Sequence, residues 1–128
     1  MVSTDHAPHT IEEKSKDVWT APGGVPGVET RAGLLLDAVN SRLLSFERFI
    51  QLCCENPAKR FGLAKKGYIK QGFDADIAVV DMKKHHKIKS DDLYTKCGWS
   101  PFEGLKLKGC PVMTIADGRI VMEDGVVL

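Results

Sequence analysis

"CPVMTIADGRIVMEDGVVL", Cys110 to Leu128, is the clearest local signal in the chain. Val112 to Ala116 and Arg119 to Glu123 flank Asp117-Gly118. An Asp-Gly pair between two such runs is a favoured two-residue hairpin connection, because both turn positions take positive φ. Asp124-Gly125 marks another turn. The C-terminal stretch therefore reads as antiparallel sheet.

Upstream, "ADIAVVDM" (Ala75 to Met82) is a β-rich run preceded by the turn-like "GYIKQGFD". The cluster Lys83-Lys84-His85-His86-Lys87 follows it and reads as a solvated loop, as does Lys65-Lys66. Between residues 28 and 63 the pattern is helical. In "VETRAGLLLDAVNSRLL", Val28, Leu35, Leu36, Val39 and Leu43 fall near one helical face, and Glu29 sits in the first turn, where its charge suits the helix dipole. A second helix, "SFERFIQLCCE", has Ser45 as N-cap and Phe46, Phe49, Ile50 and Cys53 on one face. Asn56-Pro57 then reads as a restart, an N-cap followed by proline at the first helical position, with a stop at Gly62.

Residues 1–27 are rich in turns: Pro8, Pro22, Gly23, Gly24, Pro26 and Gly27 punctuate a long loop, of the kind that is functional or mobile in compact domains. Val2 and Ser3 read as the tail of a strand, and "TIEEKSKDV" as a helical turn. Helices thus come first and strands last. That segregation divides the chain into two units, 1–63 and 64–128.

Composition narrows the class. With 43% hydrophobic and 27% charged residues in 128, a packed core is expected and disorder is not. A net charge of +1 gives no reason to expect nucleic acid or an anionic membrane as partner. The four cysteines form no C-x-x-C and read as reduced thiols rather than a disulfide framework or zinc knuckle. No apolar run reaches transmembrane length, and "MVSTDHAPHT" lacks the apolar centre of a signal peptide. A soluble cytoplasmic protein is expected.

Chemistry concentrates in "VSTDHAPHT", Val2 to Thr10, where Asp5, His6 and His9 bracket Pro8. All three side chains can ligate a metal, and proline stiffens the turn that would aim them. The rival reading is a surface turn in which Asp5 caps a backbone N–H and the histidines are solvated. The downstream "APGG" adds weight to the first. Gly23 and Gly24 let a ligand approach the backbone and can present N–H groups to an anion, although a flexible turn has the same composition. The order strand end, aspartate, loop, glycine pair, helix also fits the last strand and helix of a (β/α)8 barrel, whose catalytic residues lie at the C-terminal ends of strands.

These segments resemble the dihydroorotases of the amidohydrolase superfamily. "TDHAPHTIEEK" (Thr4 to Lys14) is similar to a signature of that family. The likeness continues through "APGGVPGVET", "ENPAKRFGL", "GFDADIAVVD" and "SPFEGLKLKGCPVMTIADGRIV". The resemblance implies reversible cyclisation of carbamoyl aspartate to dihydroorotate at a binuclear zinc site. It implies that Asp5 is a zinc ligand and general base, that His9 binds substrate, and that backbone N–H groups near Gly23 and Gly24 assist. For His6 the resemblance implies a structural role and not a metal ligand.

Two departures are mild: Ser3 stands where the family usually has glycine or alanine, and Gly23 at an often bulkier position. The third is large. The His-x-His pair, the carboxylated lysine and the two further histidines of the family site have no counterpart, and His85-His86 lack the spacing. A whole barrel takes roughly 250 residues.

The resemblance therefore implies an α/β fold. It would be the C-terminal fragment of a (β/α)8 barrel, from the end of strand 8 through the last helices, followed by strands of a small composite β-domain. Alone it is expected to be inactive and to self-associate or pair with the missing N-terminal portion. Two other readings stand beside this one: another cyclic amidohydrolase, such as an allantoinase or hydantoinase, and a truncated, non-catalytic interaction module.

Overall fold

The computed structural model of the protein describes residues 1–128. Its β part is a four-stranded antiparallel meander in the order β1 (Ile77–Lys87), β2 (Lys106–Ala116), β3 (Arg119–Glu123) and β4 (Val126–Val127). Both Asp-Gly pairs form the turns expected of them. Asp117 and Gly118 have φ of 49° and 75°, and Asp124 and Gly125 have φ of 47° and 87°. Pro111 lies in the central strand β2, where a missing N–H would normally break the ladder. It is tolerated because the β1–β2 register shifts there, from Val79↔Met113 to Val80↔Pro111.

The lysine-histidine cluster is not a loop. β1 runs through Lys87, with His85 opposite Lys108, His86 opposite Leu107 and Lys87 opposite Lys106. Between Asp81 and His85 the strand bulges, because Asp81 Oδ1 accepts the N–H groups of Lys83 (2.8 Å) and Lys84 (3.2 Å). Past the bulge, His86 turns inward beside the buried Leu107, and its neighbours stay in solvent.

Four helical pieces precede the sheet: α1 (Ile11–Lys14), α2 (Arg31–Asn40), α3 (Phe46–Ile50) and α4 (Asn56–Arg60). α2 is shorter than its apolar pattern. It ends in a Schellman arrangement: Arg42 takes φ 59°, its N–H bonds the Val39 carbonyl, and the Leu43 N–H bonds that of Ala38. Val28 and Leu43 therefore lie outside the helix, 54% and 83% exposed, and Leu36 alone is fully buried. Ser45 caps α3, its hydroxyl accepting the Arg48 N–H at 3.1 Å.

The expected restart at Asn56-Pro57 does not occur. Asn56 has helical φ and ψ of −65° and −41°, and a π-helical turn, Gln51–Glu55, joins α3 to α4. In that wider turn the Asn56 N–H reaches back to the Gln51 carbonyl, which lets the helix carry a proline without a break. The stop at Gly62 is observed. Its φ is 65°, and Leu63 N–H bonds the Ala58 carbonyl at 2.9 Å. Val2 and Ser3 are not part of a strand. Within this chain no strand lies beside them, and the Val2 N–H instead bonds the Leu52 carbonyl at 3.2 Å.

The core forms where α2 crosses β2. A Cβ on Gly109 would come within 2.8 Å of Leu36 Cβ, so glycine sets how closely helix and strand approach. Beyond the reach of β3, the β2 backbone would present an open edge, and α2 closes it. Lys108 N–H donates to Asp37 Oδ1 at 2.8 Å, and Asn40 Nδ2 donates to the Lys108 carbonyl at 2.8 Å. The four cysteines are free, and burial raises the thiols of Cys53 and Cys110 above their ordinary range. No helix is long and apolar enough to cross a membrane.

Candidate active site

The turn carrying Asp5 and His9 is built from local hydrogen bonds. Asp5 has φ of 46°, a left-handed conformation that aspartate tolerates better than most side chains. His9 N–H closes a tight turn over Pro8 onto the Ala7 carbonyl at 2.9 Å. Thr10 then caps α1 reciprocally: its hydroxyl accepts from Glu13 N–H (3.2 Å), and Glu13 Oε2 accepts from Thr10 N–H (2.8 Å). That backbone bond, with help from the Thr10 hydroxyl and His9, holds the Glu13 carboxyl below its usual range. His9 Nδ1 lies 3.6 Å from Glu13 Oε2, an ion pair only when the imidazole is protonated.

The glycine loop lies against this turn. Ala7 N–H donates to the Val25 carbonyl at 3.0 Å, and a Cβ on Gly24 (φ 88°) would meet Ala7 Cβ at 2.6 Å. Lys14 Nζ donates to the carbonyls of Pro22 (2.7 Å) and Gly24 (3.2 Å), tying the loop to the end of α1. His6 Nδ1 accepts the N–H groups of Gly27 (3.0 Å) and Val28 (3.2 Å). Asp5 and His9 thus share one loop, and Gly23 and Gly24 sit on the loop fastened to it. Asp5 and Gly23 face open space: Asp5 is exposed, and nothing lies within 4 Å of a Cβ built on Gly23.

Two contributors have no local sequence signal. Glu29 lies ahead of α2, not in its first turn. Its carboxylate accepts the N–H groups of Tyr94 (2.7 Å) and Thr95 (2.9 Å), which lie more than sixty residues away. Trp99 Nε1 donates to the His9 carbonyl at 2.7 Å across 90 residues. Glu29 and Trp99 join segments more than sixty residues apart, so spacing could not reveal them.

No three His, Cys, Asp or Glu side chains converge in a way that could hold a metal ion. The chain's own donors therefore do not fit a complete zinc centre. The exposed Asp5 carboxylate could serve as one ligand, and His6 is occupied by two backbone N–H groups. What the arrangement offers is a carboxylate able to accept a proton, a half-buried imidazole four residues on, and an open glycine backbone beside them.

The Amidohydro_1 family model, described as amidohydrolase family, matches residues 1–121. The chain belongs to the amidohydrolase family. The dihydroorotase of Methanothermobacter thermautotrophicus is 48% identical over 128 residues, which is 100% of this amidohydrolase chain and 30% of that protein. The dihydroorotase of Pyrococcus furiosus is 46% identical over 124 residues, 97% of the chain and 29% of that protein. Among solved structures, a D-hydantoinase from Thermus sp. superposes with a TM-score of 0.93 at 32% identity, covering 99% of the chain and 29% of its own. The L-hydantoinase of Arthrobacter aurescens gives 0.83 at 38% identity, over 88% and 25%. The amidohydrolase chain thus spans about 30% of the length of the curated relatives it matches. Its antiparallel sheet and few helices have the fold of part of these α/β enzymes.

Proposed function

We propose that this amidohydrolase chain is the part of a zinc-dependent dihydroorotase that supplies Asp5 as metal ligand and proton acceptor. On this reading His9 contacts the substrate, and backbone N–H groups at Gly23 and Gly24 assist. The other ligands come from residues outside these 128. The observation that carries the reading is the joined pair of loops: Asp5 exposed on one, the glycine backbone open on the other, with the Ala7–Gly24 contact and the Lys14 bonds holding them together. Identity of 46–48% to dihydroorotases along essentially the whole chain supports the substrate class.

Bound zinc would supply a polarised amide carbonyl and an acidified water. The residues of this chain would do the rest. The Asp5 carboxylate takes a proton in ring opening and returns it to the amide nitrogen, with exposure allowing it to exchange. His9, fixed at its backbone by Ala7 and Trp99, offers a ring nitrogen to the substrate carboxylate. A cytoplasmic setting with reduced thiols accompanies the proposal.

The test is a graft. The chain replaces the 128 matching residues of the Methanothermobacter dihydroorotase, and turnover is measured with dihydroorotate, hydantoin and allantoin. The expected outcome is turnover of dihydroorotate and a loss of at least ~10³-fold in kcat for Asp5→Asn. A folded graft that prefers hydantoin or allantoin would move the assignment to those enzymes, an outcome the 38% identity to an L-hydantoinase keeps in play. Turnover by the ungrafted chain would overturn the view that the site is completed from outside.

A further inference from the structure

We infer that the segment Tyr94–Trp99 is a buckle that positions the substrate-binding turn, with Trp99 acting through the His9 carbonyl and Glu29 anchoring the segment's other end. The inference rests on the proposed role of His9. The segment is tied to distant parts of the chain: the Tyr94 hydroxyl donates to the Gly125 carbonyl (3.3 Å) and accepts the Val127 N–H (3.1 Å), and two further contacts tie its ends to the loops of the site. At one end the backbone N–H groups of Tyr94 and Thr95 both donate to the carboxylate of Glu29, which follows the glycine loop. At the other, Trp99 Nε1 donates at 2.7 Å to the carbonyl of His9. Between them the chain is stiffened from within: the Cys97 thiol is buried, lies 3.4 Å from the Thr95 hydroxyl, and bonds the Trp99 carbonyl at 3.4 Å.

The buckle thereby joins both loops of the site. Glu29 belongs to the stretch whose Gly27 and Val28 N–H groups bond His6, and His9 lies three residues beyond His6. The residues His6, Pro26, Gly27, Glu29, Thr30 and Thr95 line one narrow crevice where these parts meet. The His9 N–H is already engaged with Ala7, so the Trp99 bond pins the other side of its peptide framework. A turn held at both N–H and carbonyl fixes the direction in which its side chain leaves the backbone, and because His9 is assigned to binding the substrate and not to the proton transfer, loosening the turn is read in KM ahead of kcat. Trp99 is a positioning residue. It reaches the substrate only through His9.

The experiment uses the active graft and compares Trp99→Phe, which keeps an aromatic ring but removes the N–H. The expected result is KM for dihydroorotate raised by about 5–10-fold with kcat within about twofold, the size of one lost hydrogen bond expressed in binding. In a His9→Ala background the same substitution should leave KM within about twofold, because the two residues act on one path. Unchanged KM in Trp99→Phe, or an equal rise in both backgrounds, would overturn the inference while leaving the role of Asp5 and His9 standing. An inactive graft with native Trp99 would instead overturn the underlying reading. Hydrogen exchange of the indole N–H groups, followed by ¹⁵N-resolved NMR, gives a readout independent of activity. The chain's two tryptophans differ sharply, so Trp99 should exchange slowly and Trp19, 92% exposed, quickly. Equal rates would refute the bond itself.

Discussion

At the scale of single residues, two neighbours in the glycine pair separate a conformational requirement from an open position. Gly24 combines φ of 88° with a Cβ that would meet Ala7 Cβ at 2.6 Å, whereas Gly23 has nothing within 4 Å. Gly24→Ala should therefore destabilise the grafted enzyme by about 1–3 kcal/mol and displace the loop from the Asp5 turn. Gly23→Ala should stay within ~0.5 kcal/mol; denaturant midpoints of the two variants decide this, and equal losses would remove the distinction. His86 makes a different prediction. Its Nδ1 is buried without a hydrogen-bond partner, and its ring occupies the space a Cβ on Gly33 would need, 3.0 Å from Nε2. Burial lowers its pKa from the ordinary 6.5, opposed by Asp37 across from it and reinforced by Lys84 on its own strand. The folded state therefore stays neutral at pH values where the unfolded chain already takes a proton. Stability is fully present above about pH 6.5 and falls as pH drops from there toward the lower folded value. His86→Phe should flatten that slope in unfolding curves taken at successive pH values; an unaltered slope would assign it to another group.

At the scale of elements, what was legible in the sequence was what neighbouring residues decide. Asp117-Gly118 reads as a hairpin because both turn positions take positive φ, and the structure gives them 49° and 75°. Ser45 and Gly62 mark helix ends for similarly local reasons. Misread elements depended on distant partners. Lys83–Lys87 has the charge of a loop, yet Leu107 and Gly33 give His86 an inner face, and so the strand continues. Glu29 reads as a helix-dipole charge from its own neighbourhood, because Tyr94 and Thr95 are brought to it only by the fold. At the candidate site, Asp5, His6, His9, Gly23 and Gly24 draw attention by residue type, while their roles come from the family resemblance; Trp99 needs the fold to reach His9. The hairpin itself is open to test. Asp76 Oδ1 accepts the Asp117 N–H at 2.8 Å, and Lys66 pairs with the same carboxylate, so the turn is anchored from outside the hairpin. Gly118→Val places a β-branched side chain at φ of 75°. It should cost about 1–3 kcal/mol and expose amides of β2 and β3 to faster hydrogen exchange. Protection that persists through that substitution would mean the turn does not set the register.

At the scale of the whole molecule, the chain covers too little of itself. A folded monomer of 14.1 kDa should expose ~6,700 Å² by the usual size scaling, yet this one exposes 9003 Å². Ten residues are buried, and only Leu36, Ala58, Ile88, Cys97 and Leu107 among the apolar ones, while Val18, Trp19, Leu43 and Ile69 are each more than 80% exposed. The excess, about 2,300 Å², is of the size that obligate interfaces bury. Like charge does not oppose association, because the net charge is only +1. The isolated chain should therefore associate in solution, and sedimentation should show a mean mass that rises with concentration. Adding the complementary portion of the Methanothermobacter relative should compete with that self-association, since both would cover the same apolar surface. It should also raise the thermal midpoint with concentration, as any partner that binds only the folded form must. Trp19 reports on the event directly: 92% exposed in the free chain, its fluorescence should shift to shorter wavelength as the surface is covered. A monomer at every concentration, unfolding cooperatively and with Trp19 unshifted, would show that the excess surface is tolerated in water and needs no partner.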